Sequence, residues 1–171
     1  RLSGVVTPPP SKSLAHRLIL AASLAAGTST IKNLTLSQDI EATLNCMSGF
    51  RCRWEWQGED TLKVWGCINR ERDRNGLPYL DCGESGSTLR FLIPVALALE
   101  GGGVFTGRGR LMERPLDPYF QLFDRQGISH QMEDGVLTVR GDLMPGEYRL
   151  PGDVSSQFFT GLLMALPLLD G

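Results

Sequence analysis

The feature that most constrains the fold of this chain is a pattern that occurs three times. Each time, a short cluster of Ser, Gly or Thr precedes an apolar run with the length of a helix. The pairs are Ser11–Ser13 before Leu18–Ala26, Gly83–Arg90 before Phe91–Leu99, and Ser155–Gln157 before Leu162–Leu169. A helix that is apolar on nearly all faces has to be buried. The recurrence, with a period of roughly 70 residues, therefore predicts a domain built from several copies of one α/β unit.

The starts of these three helices are candidate anion sites. The first backbone N–H groups of a helix have no helical partner, and the helix dipole makes that end positive. The first two clusters also carry cations, which are Lys12, Arg17 and Arg90. If the three helix starts open on a common cleft, phosphate is the ligand that the pattern predicts.

Composition and charge exclude several other classes. The chain has 171 residues, of which 42% are hydrophobic and 21% charged, which is typical of a folded globular domain. Its 17 basic and 19 acidic residues give a net charge of −2, so general attraction to nucleic acid or to an anionic membrane is not expected. No stretch reaches the roughly 18 apolar residues of a membrane span, and no signal pattern opens the chain. We therefore expect a cytoplasmic protein.

Two further features bear on organisation and chemistry. The chain begins at Arg1 and stops at Gly171, directly after an apolar run, so we expect a piece of a longer protein. The cysteines lack metal-ligand spacing and lie far in sequence from the histidines, so no metal site is predicted. We expect buried, reduced thiols at all four cysteine positions, which are Cys46, Cys52, Cys67 and Cys82.

The coarse reading of elements predicts a βαβαββ order once clearly and again in outline. In the first half the predicted elements are a strand Leu2–Thr7, a helix from Ser11 or Ser13 to Gly27, a strand Thr30–Leu34, a helix Ser37–Met47 capped by Ser37, a hairpin Arg53–Gly66 and a solvated loop Arg70–Gly76. In the second half they are a strand Tyr79–Cys82, the helix Phe91–Leu99, a strand Gly103–Thr106, a helix from Pro115 to Gly127, and strands Ile128–Met132 and Val136–Arg140 joined at Asp134-Gly135.

Several side chains at the helix starts could bind an anion. Ser13 and Arg17 share one helix face at i, i+4 spacing, next to Lys12. Gly86 offers a bare backbone N–H, and Arg114 lies at a helix entrance among further, more solvated arginines. Ser155, Ser156 and Gln157 could hydrogen-bond a phosphorylated, hydroxylated substrate or could serve only as caps. Arg90 could point into the site or pair with Glu84.

With these residues assembled, the chain resembles the enolpyruvyl transferases, in particular the branch that acts on shikimate-3-phosphate. The resemblance covers nearly the whole chain, and its motifs are PPPSKSLAHRLILAASLAAG, SQDIEATL, CGESGSTLRFL, GRGRLMERPLDP and LPGDVSSQFFTGLLMALPLL. It implies an enolpyruvyl transferase-like α/β prism of repeated βαβαββ units around buried helices. It also implies that residues 1–171 are most of the N-terminal domain of a two-domain, monomeric enzyme.

The resemblance implies roles for the residues above. Contacts to shikimate-3-phosphate are expected from Lys12, Ser13, Arg17, Ser155, Ser156 and Gln157, and contacts to phosphoenolpyruvate from Lys12, Gly86, Arg114 and Gln157. The implied reaction transfers the enolpyruvyl group of phosphoenolpyruvate to the 5-hydroxyl of shikimate-3-phosphate without any cofactor. The acid and base carboxylates are expected in the second domain, so no catalytic residue is assigned here and the isolated chain is expected to be inactive.

One departure and two alternatives accompany this interpretation. Glu84 stands where the family's loop usually has Asn, and its carboxylate would repel an anion unless it turns away or pairs with Arg90. The sister transferase acting on UDP-N-acetylglucosamine carries a Cys in the loop corresponding to 107–114, and this chain has none there. A nucleic-acid-binding module is a remote alternative, in which cations would alternate with stacking rings at Arg51, Arg53, Trp54 and Trp56.

Overall fold

The computed structural model describes residues 3–6, 8–68 and 76–169. The described elements, in chain order, are α1 (Lys12–Leu24), β1 (Thr28–Ile31), α2 (Gln38–Gly49), β2 (Arg53–Trp56), β3 (Leu62–Trp65), β4 (Tyr79–Asp81), α3 (Gly86–Glu100), β5 (Gly102–Thr106), a 3₁₀ turn (Leu111–Glu113), α4 (Asp117–Gln126), β6 (Ser129–Glu133), β7 (Val136–Arg140), α5 (Ser156–Ala165) and a second 3₁₀ turn (Leu166–Leu168). Among these elements, no helix is long and apolar enough to cross a membrane.

The elements form two copies of one unit and the start of a third. In the first copy the strand order is β1-β3-β2, with both pairings antiparallel. In the second copy the order is β4-β5-β7-β6, where β5, β7 and β6 repeat the first arrangement and β4 adds a parallel neighbour to β5. The second copy thus has the complete βαβαββ order, and α5 stands where a third copy would begin. The predicted α/β class with repeated units is confirmed.

The predicted strand Leu2–Thr7 is not observed. Residues 3–6 adopt no regular structure, and Leu2 and Thr7 lie outside the described residues. Val5 is 100% exposed and Val6 86% exposed, and an extended segment forms a strand only beside another strand that accepts its hydrogen bonds. No strand of the described ranges lies beside this segment, so the first copy begins with α1.

Two elements near the start of the chain have ends that differ from the predicted ones. The strand predicted over Thr30–Leu34 occupies Thr28–Ile31, because Asn33 has a φ of +59° and cannot continue the extended backbone. Helix α1 ends at Leu24 rather than at Gly27, whose φ of +89° places it in the turn that follows. The predicted loop at 70–76 falls outside the described residues except for its last position.

Two predicted helix starts were also wrong. Helix α3 begins at Gly86, not Phe91, because the Ser85 hydroxyl accepts the Thr88 backbone N–H and caps the helix five residues earlier. Helix α4 begins at Asp117 rather than at Pro115, because Leu116 has a non-helical φ of −123° and caps the helix.

The predicted hairpins are confirmed. Strands β2 and β3 pair antiparallel around the turn at 57–61. Strands β6 and β7 pair around Asp134 and Gly135, which have φ values of +49° and +74°. Two consecutive positive φ values are what a tight two-residue hairpin turn requires, and Asp-Gly supplies them at low cost.

The core lies around α3, which is buried along most of its length. Eleven of its 15 residues are buried, as the prediction of an all-round apolar helix requires. Helix α5 packs directly on α3, and Gly161 makes the close approach possible, because a Cβ there would lie 2.6 Å from the Arg90 carbonyl oxygen. The two helix starts are therefore held side by side.

Candidate anion site at three helix starts

The start of α1 carries the first group of predicted residues. Ser11 caps the helix by accepting the Leu14 backbone N–H at 3.3 Å. One guanidinium nitrogen of Arg17 donates to the Ser13 hydroxyl at 2.6 Å and to the Ser13 carbonyl at 2.8 Å, so these two residues share one helix face as predicted. Lys12 is exposed and forms an ion pair with Asp39 at the start of α2.

Arg17 also connects α1 with α5. Its second terminal nitrogen donates to the Thr160 hydroxyl at 3.1 Å, and the guanidinium lies 5.4 Å from the ring centroid of Phe91 on α3. Both contacts fix the direction of a long side chain that would otherwise be mobile. No sequence pattern identified Thr160, because its role depends on the packing of α5 against α1.

The start of α3 brings a second pair of cations together. Gly86 lies directly against the guanidinium of Arg114, which would have to shift to make room for a Cβ at this position. Burial lowers the pKa of Arg90, and the neighbouring positive charge of Arg114 lowers it further. Like charges held this close are costly unless an anion compensates them.

The start of α5 is tied to α3 through one amide side chain. The Gln157 carbonyl oxygen accepts from Arg90 at 2.8 Å, and its amide nitrogen donates to the Ser87 hydroxyl at 2.8 Å. Ser155 caps α5 by accepting the Gln157 backbone N–H at 3.3 Å, while Ser156 is exposed at the first helical position. Arg90 therefore pairs with Gln157 and not with Glu84, which settles the alternative left open by the sequence.

The backbone around Arg90 shows why this geometry is rigid. Pro94 lies inside α3 and has no N–H, so it cannot bond the carbonyl of Arg90 four residues earlier. The Tyr119 hydroxyl fills that vacancy, donating to the Arg90 carbonyl at 2.7 Å or to the Phe158 carbonyl at 2.9 Å. Complete burial raises the pKa of Tyr119 well above its usual value, so the donor proton is retained.

The contacts link the three helix starts, because Arg17 of α1 bonds Thr160 of α5, and Gln157 of α5 bonds Arg90 and Ser87 of α3. Within the described ranges, Arg17, Arg90 and Arg114 make no ion pair with a carboxylate, whereas the exposed Arg110 pairs with Glu113 at 2.8 Å. Three helix starts and these unneutralised cations produce a local positive potential on a chain of net charge −2. The arrangement can hold anionic groups at two neighbouring points.

A groove lined by α2 and by residues 79–84 is a separate feature. It has a volume of about 580 Å³, and its lining includes Asp39, Glu41, Asp81 and Glu84 with Arg108 as the basic residue. An acidic groove repels phosphate, so the anion site is the open face at the helix starts instead. Glu84 is exposed and turned toward this groove, where it lies against Gly109.

Two other expectations concern residues away from this face. All four cysteine side chains are buried, as predicted. The rings proposed for nucleic-acid stacking are engaged in packing, since Trp54 donates to the Ser48 hydroxyl at 2.9 Å and to the Leu44 carbonyl, and Arg53 lies over Trp65. Trp54 and Trp56 are also partly buried against the core of the first copy, which argues against that alternative.

Comparison with known proteins identifies the family. A sequence profile of EPSP synthase (3-phosphoshikimate 1-carboxyvinyltransferase) matches residues 1–171. The chain belongs to the EPSP synthase family. One curated EPSP synthase, the 3-phosphoshikimate 1-carboxyvinyltransferase of Clostridium beijerinckii, is 46% identical over 177 residues, covering 100% of this chain and 40% of the relative. The enzyme of the same name from Clostridioides difficile is 45% identical over 179 residues, covering 99% and 41%.

Solved structures of EPSP synthase show the same fold. The structure of the Acinetobacter baumannii EPSP synthase matches with a TM-score of 0.77 at 25% identity, covering 95% of this chain and 37% of that chain. The enolpyruvyl transferase-like fold predicted from the motifs is thereby confirmed. The chain spans about 40% of the length of the curated EPSP synthases that it matches.

Proposed function

We propose that this chain supplies one wall of the substrate site of an enzyme that transfers the enolpyruvyl group of phosphoenolpyruvate to the 5-hydroxyl of shikimate-3-phosphate. The observation that carries the proposal is the convergence of three helix starts with Arg17, Arg90 and Arg114, none of which pairs with a carboxylate of the described residues. Both proposed substrates are phosphate esters with a carboxylate, so each brings the charges that such a site compensates.

The proposed contacts divide between the two substrates. Shikimate-3-phosphate is bound by Lys12, Ser13, Arg17, Ser155, Ser156 and Gln157. Phosphoenolpyruvate is bound by Lys12, Gly86, Arg114 and Gln157. Lys12 and Gln157 belong to both sets, and Gln157 has the position for it, since it hydrogen-bonds Arg90 and Ser87 on α3 while lying at the start of α5.

In the proposed reaction the substrate 5-hydroxyl attacks the central carbon of phosphoenolpyruvate as the methylene carbon gains a proton. The hydroxyl gives up its proton as the new carbon–oxygen bond forms a tetrahedral intermediate. Inorganic phosphate then leaves from this intermediate as the methyl carbon loses a proton, which restores the carbon–carbon double bond. The residues of this chain hold and orient the two anions, which lowers the entropic cost of bringing them together. The proton-transferring carboxylates belong to a second domain in this proposal, and closure of the two domains expels water.

The assay that tests this function uses the longer protein that carries this chain. We expect phosphate release with phosphoenolpyruvate only when shikimate-3-phosphate is present, and no activity from residues 1–171 alone. Conversion of UDP-N-acetylglucosamine in place of shikimate-3-phosphate would assign the protein to the sister reaction. Failure to use either acceptor would overturn the proposal.

A further inference from the structure

A chain of buried hydrogen bonds runs beneath the candidate anion site. His16 Nδ1 lies 2.8 Å from the Thr43 hydroxyl, which lies 2.8 Å from the Thr88 hydroxyl, which in turn lies 2.8 Å from the Ser85 hydroxyl. The exposed fractions of these four residues are 1%, 0%, 0% and 2%. Four polar side chains in such surroundings are costly unless each is satisfied by the next.

These hydrogen bonds join the start of α1 to the start of α3 through α2. His16 belongs to α1 and precedes Arg17, while Ser85 caps α3 and precedes Gly86. Thr43 lies on α2, between them. The hydrogen bonds therefore connect the backbone next to Arg17 with the backbone next to Gly86, and both of these residues are proposed substrate contacts. None of the four hydrogen-bonded residues is itself a proposed substrate contact.

The hydroxyl protons determine which form of His16 is present. The Thr43 hydroxyl donates to the Asp39 carbonyl at 3.0 Å, so its single proton is used and it accepts from His16 and from Thr88. The proton therefore lies on Nδ1 of His16, and the Thr88 hydroxyl is the donor shared between the Ser85 and Thr43 hydroxyls. Nε2 makes no hydrogen bond and is left as a buried acceptor, which costs less than a buried unpaired donor.

The surroundings of His16 keep its ring neutral. Burial lowers its pKa to about 4; the nearby Asp39 on α2 opposes this, while Lys12 and Arg17 on α1 add to it. On the α3 side the ring meets the edge of Phe91, with 6.4 Å between ring centroids. A neutral ring with its proton on Nδ1 is a fixed donor to Thr43.

We propose that His16, Thr43, Thr88 and Ser85 form a positioning relay. This relay sets the separation and orientation of the proposed substrate contacts at the starts of α1 and α3. This inference rests on the proposed function for its kinetic consequence. The relay residues touch no substrate; they act through the backbone of the residues that follow them. If the contacts at one helix start are displaced from those at the other by a fraction of an ångström, the alignment of the two reacting molecules changes more than the binding of either one.

The kinetic test compares Thr43→Val with Thr43→Ser in the longer protein. Valine has nearly the shape of threonine but removes the hydroxyl, whereas serine keeps the hydroxyl. We expect Thr43→Val to lower kcat about tenfold while KM for each substrate changes less than about threefold, and Thr43→Ser to stay close to wild type. Equal kcat values for valine and wild type, per folded molecule, would overturn the positioning role.

Thr88→Val and Thr88→Ser provide an independent pair, because Thr88 makes no contact with the Asp39 carbonyl. The same split between kcat and KM is expected. A role in stability alone would lower the melting temperature of both valine variants and leave kcat unchanged, so this pattern contradicts the proposal.

Nuclear magnetic resonance on the 171-residue chain separates this inference from the proposed function. Long-range nitrogen–proton spectra should show His16 protonated at Nδ1 near neutral pH, and exchange of the Thr88 backbone amide should accelerate at least about tenfold in Thr43→Val but not in Thr43→Ser. Protonation at Nε2, or unchanged exchange, would overturn the relay even if the longer protein transfers enolpyruvyl groups. If these spectra confirm the relay but the longer protein shows no enolpyruvyl transfer, the proposed function is overturned and the relay is not.

Discussion

At the scale of single residues, burial decides which side chains are charged. Burial lowers the pKa of His16 and favours its neutral form, whereas the half-buried Arg17 donates hydrogen bonds to Ser13 and Thr160. The sequence alone identified Arg17 as a ligand candidate, because a cation at the head of an apolar helix is unusual. It did not identify His16, since the partners that explain this residue lie 27 and more positions away in the chain.

The stability of the chain should depend on pH through His16. Its pKa is lowered from 6.5 in the unfolded chain to about 4 in the folded one, so the unfolded state binds the proton more readily. The contribution is complete above the unfolded pKa and is lost as the pH falls from 6.5 toward 4. We expect a loss of about 2 kcal/mol between about pH 7 and pH 5 in urea unfolding.

The variant His16→Asn provides the matched control for this measurement. Asparagine can still donate a hydrogen bond to Thr43 but does not titrate in this range. The difference between wild type and variant therefore isolates His16 from the partly exposed His130. Identical pH dependence in the two proteins would show that His16 is not held neutral in the folded state.

At the scale of elements, the site depends on how closely α3 and α5 pack. Pro94 leaves the Arg90 carbonyl without its helical partner, and Tyr119 supplies a donor from α4. The role of the Tyr119 hydroxyl depends on the missing N–H of Pro94, and it becomes visible only when the positions of α3 and α4 are known. Local patterns thus predicted the elements, and their mutual contacts required the tertiary structure.

Tyr119→Phe should destabilise the protein by about 1–3 kcal/mol, because it leaves the Arg90 carbonyl buried without a donor. The ring packing against Phe158, with centroids 4.8 Å apart, is retained in the variant. Chemical denaturation measures the change. Tyr148→Phe is a suitable control, since the Tyr148 hydroxyl bonds the Met144 carbonyl at an exposed position and its loss should change stability by no more than about 0.5 kcal/mol. Equal effects of the two changes would contradict this account of Pro94 and Tyr119.

Gly161→Ala should separate α5 from α3. The added Cβ would collide with the Tyr119 hydroxyl, the Arg90 carbonyl and Pro94, and overpacking of this kind costs about 1–3 kcal/mol. Because Gln157 lies one helical turn earlier on α5, its hydrogen bonds to Arg90 and Ser87 should also weaken. Gly152→Ala is the control, since a Cβ at Gly152 meets nothing within 4 Å. Wild-type stability of Gly161→Ala would show that the two helices are not in close contact.

At the scale of the whole molecule, the repeated unit explains why the anion site exists. Each of α1, α3 and α5 contributes one helix start, and the packing of α5 against α1 and α3 brings the three starts together. The recurrence of Ser/Gly/Thr clusters was sufficient to predict this convergence. It could not predict which copy has all the elements of the βαβαββ order. Whether residues 3–6 form a strand depends on a neighbouring strand that the local sequence does not specify.

The most direct test of the central claim is calorimetric titration of the folded chain with shikimate-3-phosphate, using wild type, Arg17→Ala and Arg125→Ala. Arg125 is an exposed cation at the other end of a helix, so its variant controls for net charge. We predict binding by wild type and Arg125→Ala, and a loss of affinity of at least about tenfold in Arg17→Ala, since a charge-assisted hydrogen bond to phosphate is removed. Equal affinity of Arg17→Ala and wild type, or no binding by the folded wild type, would contradict a phosphate site at these helix starts.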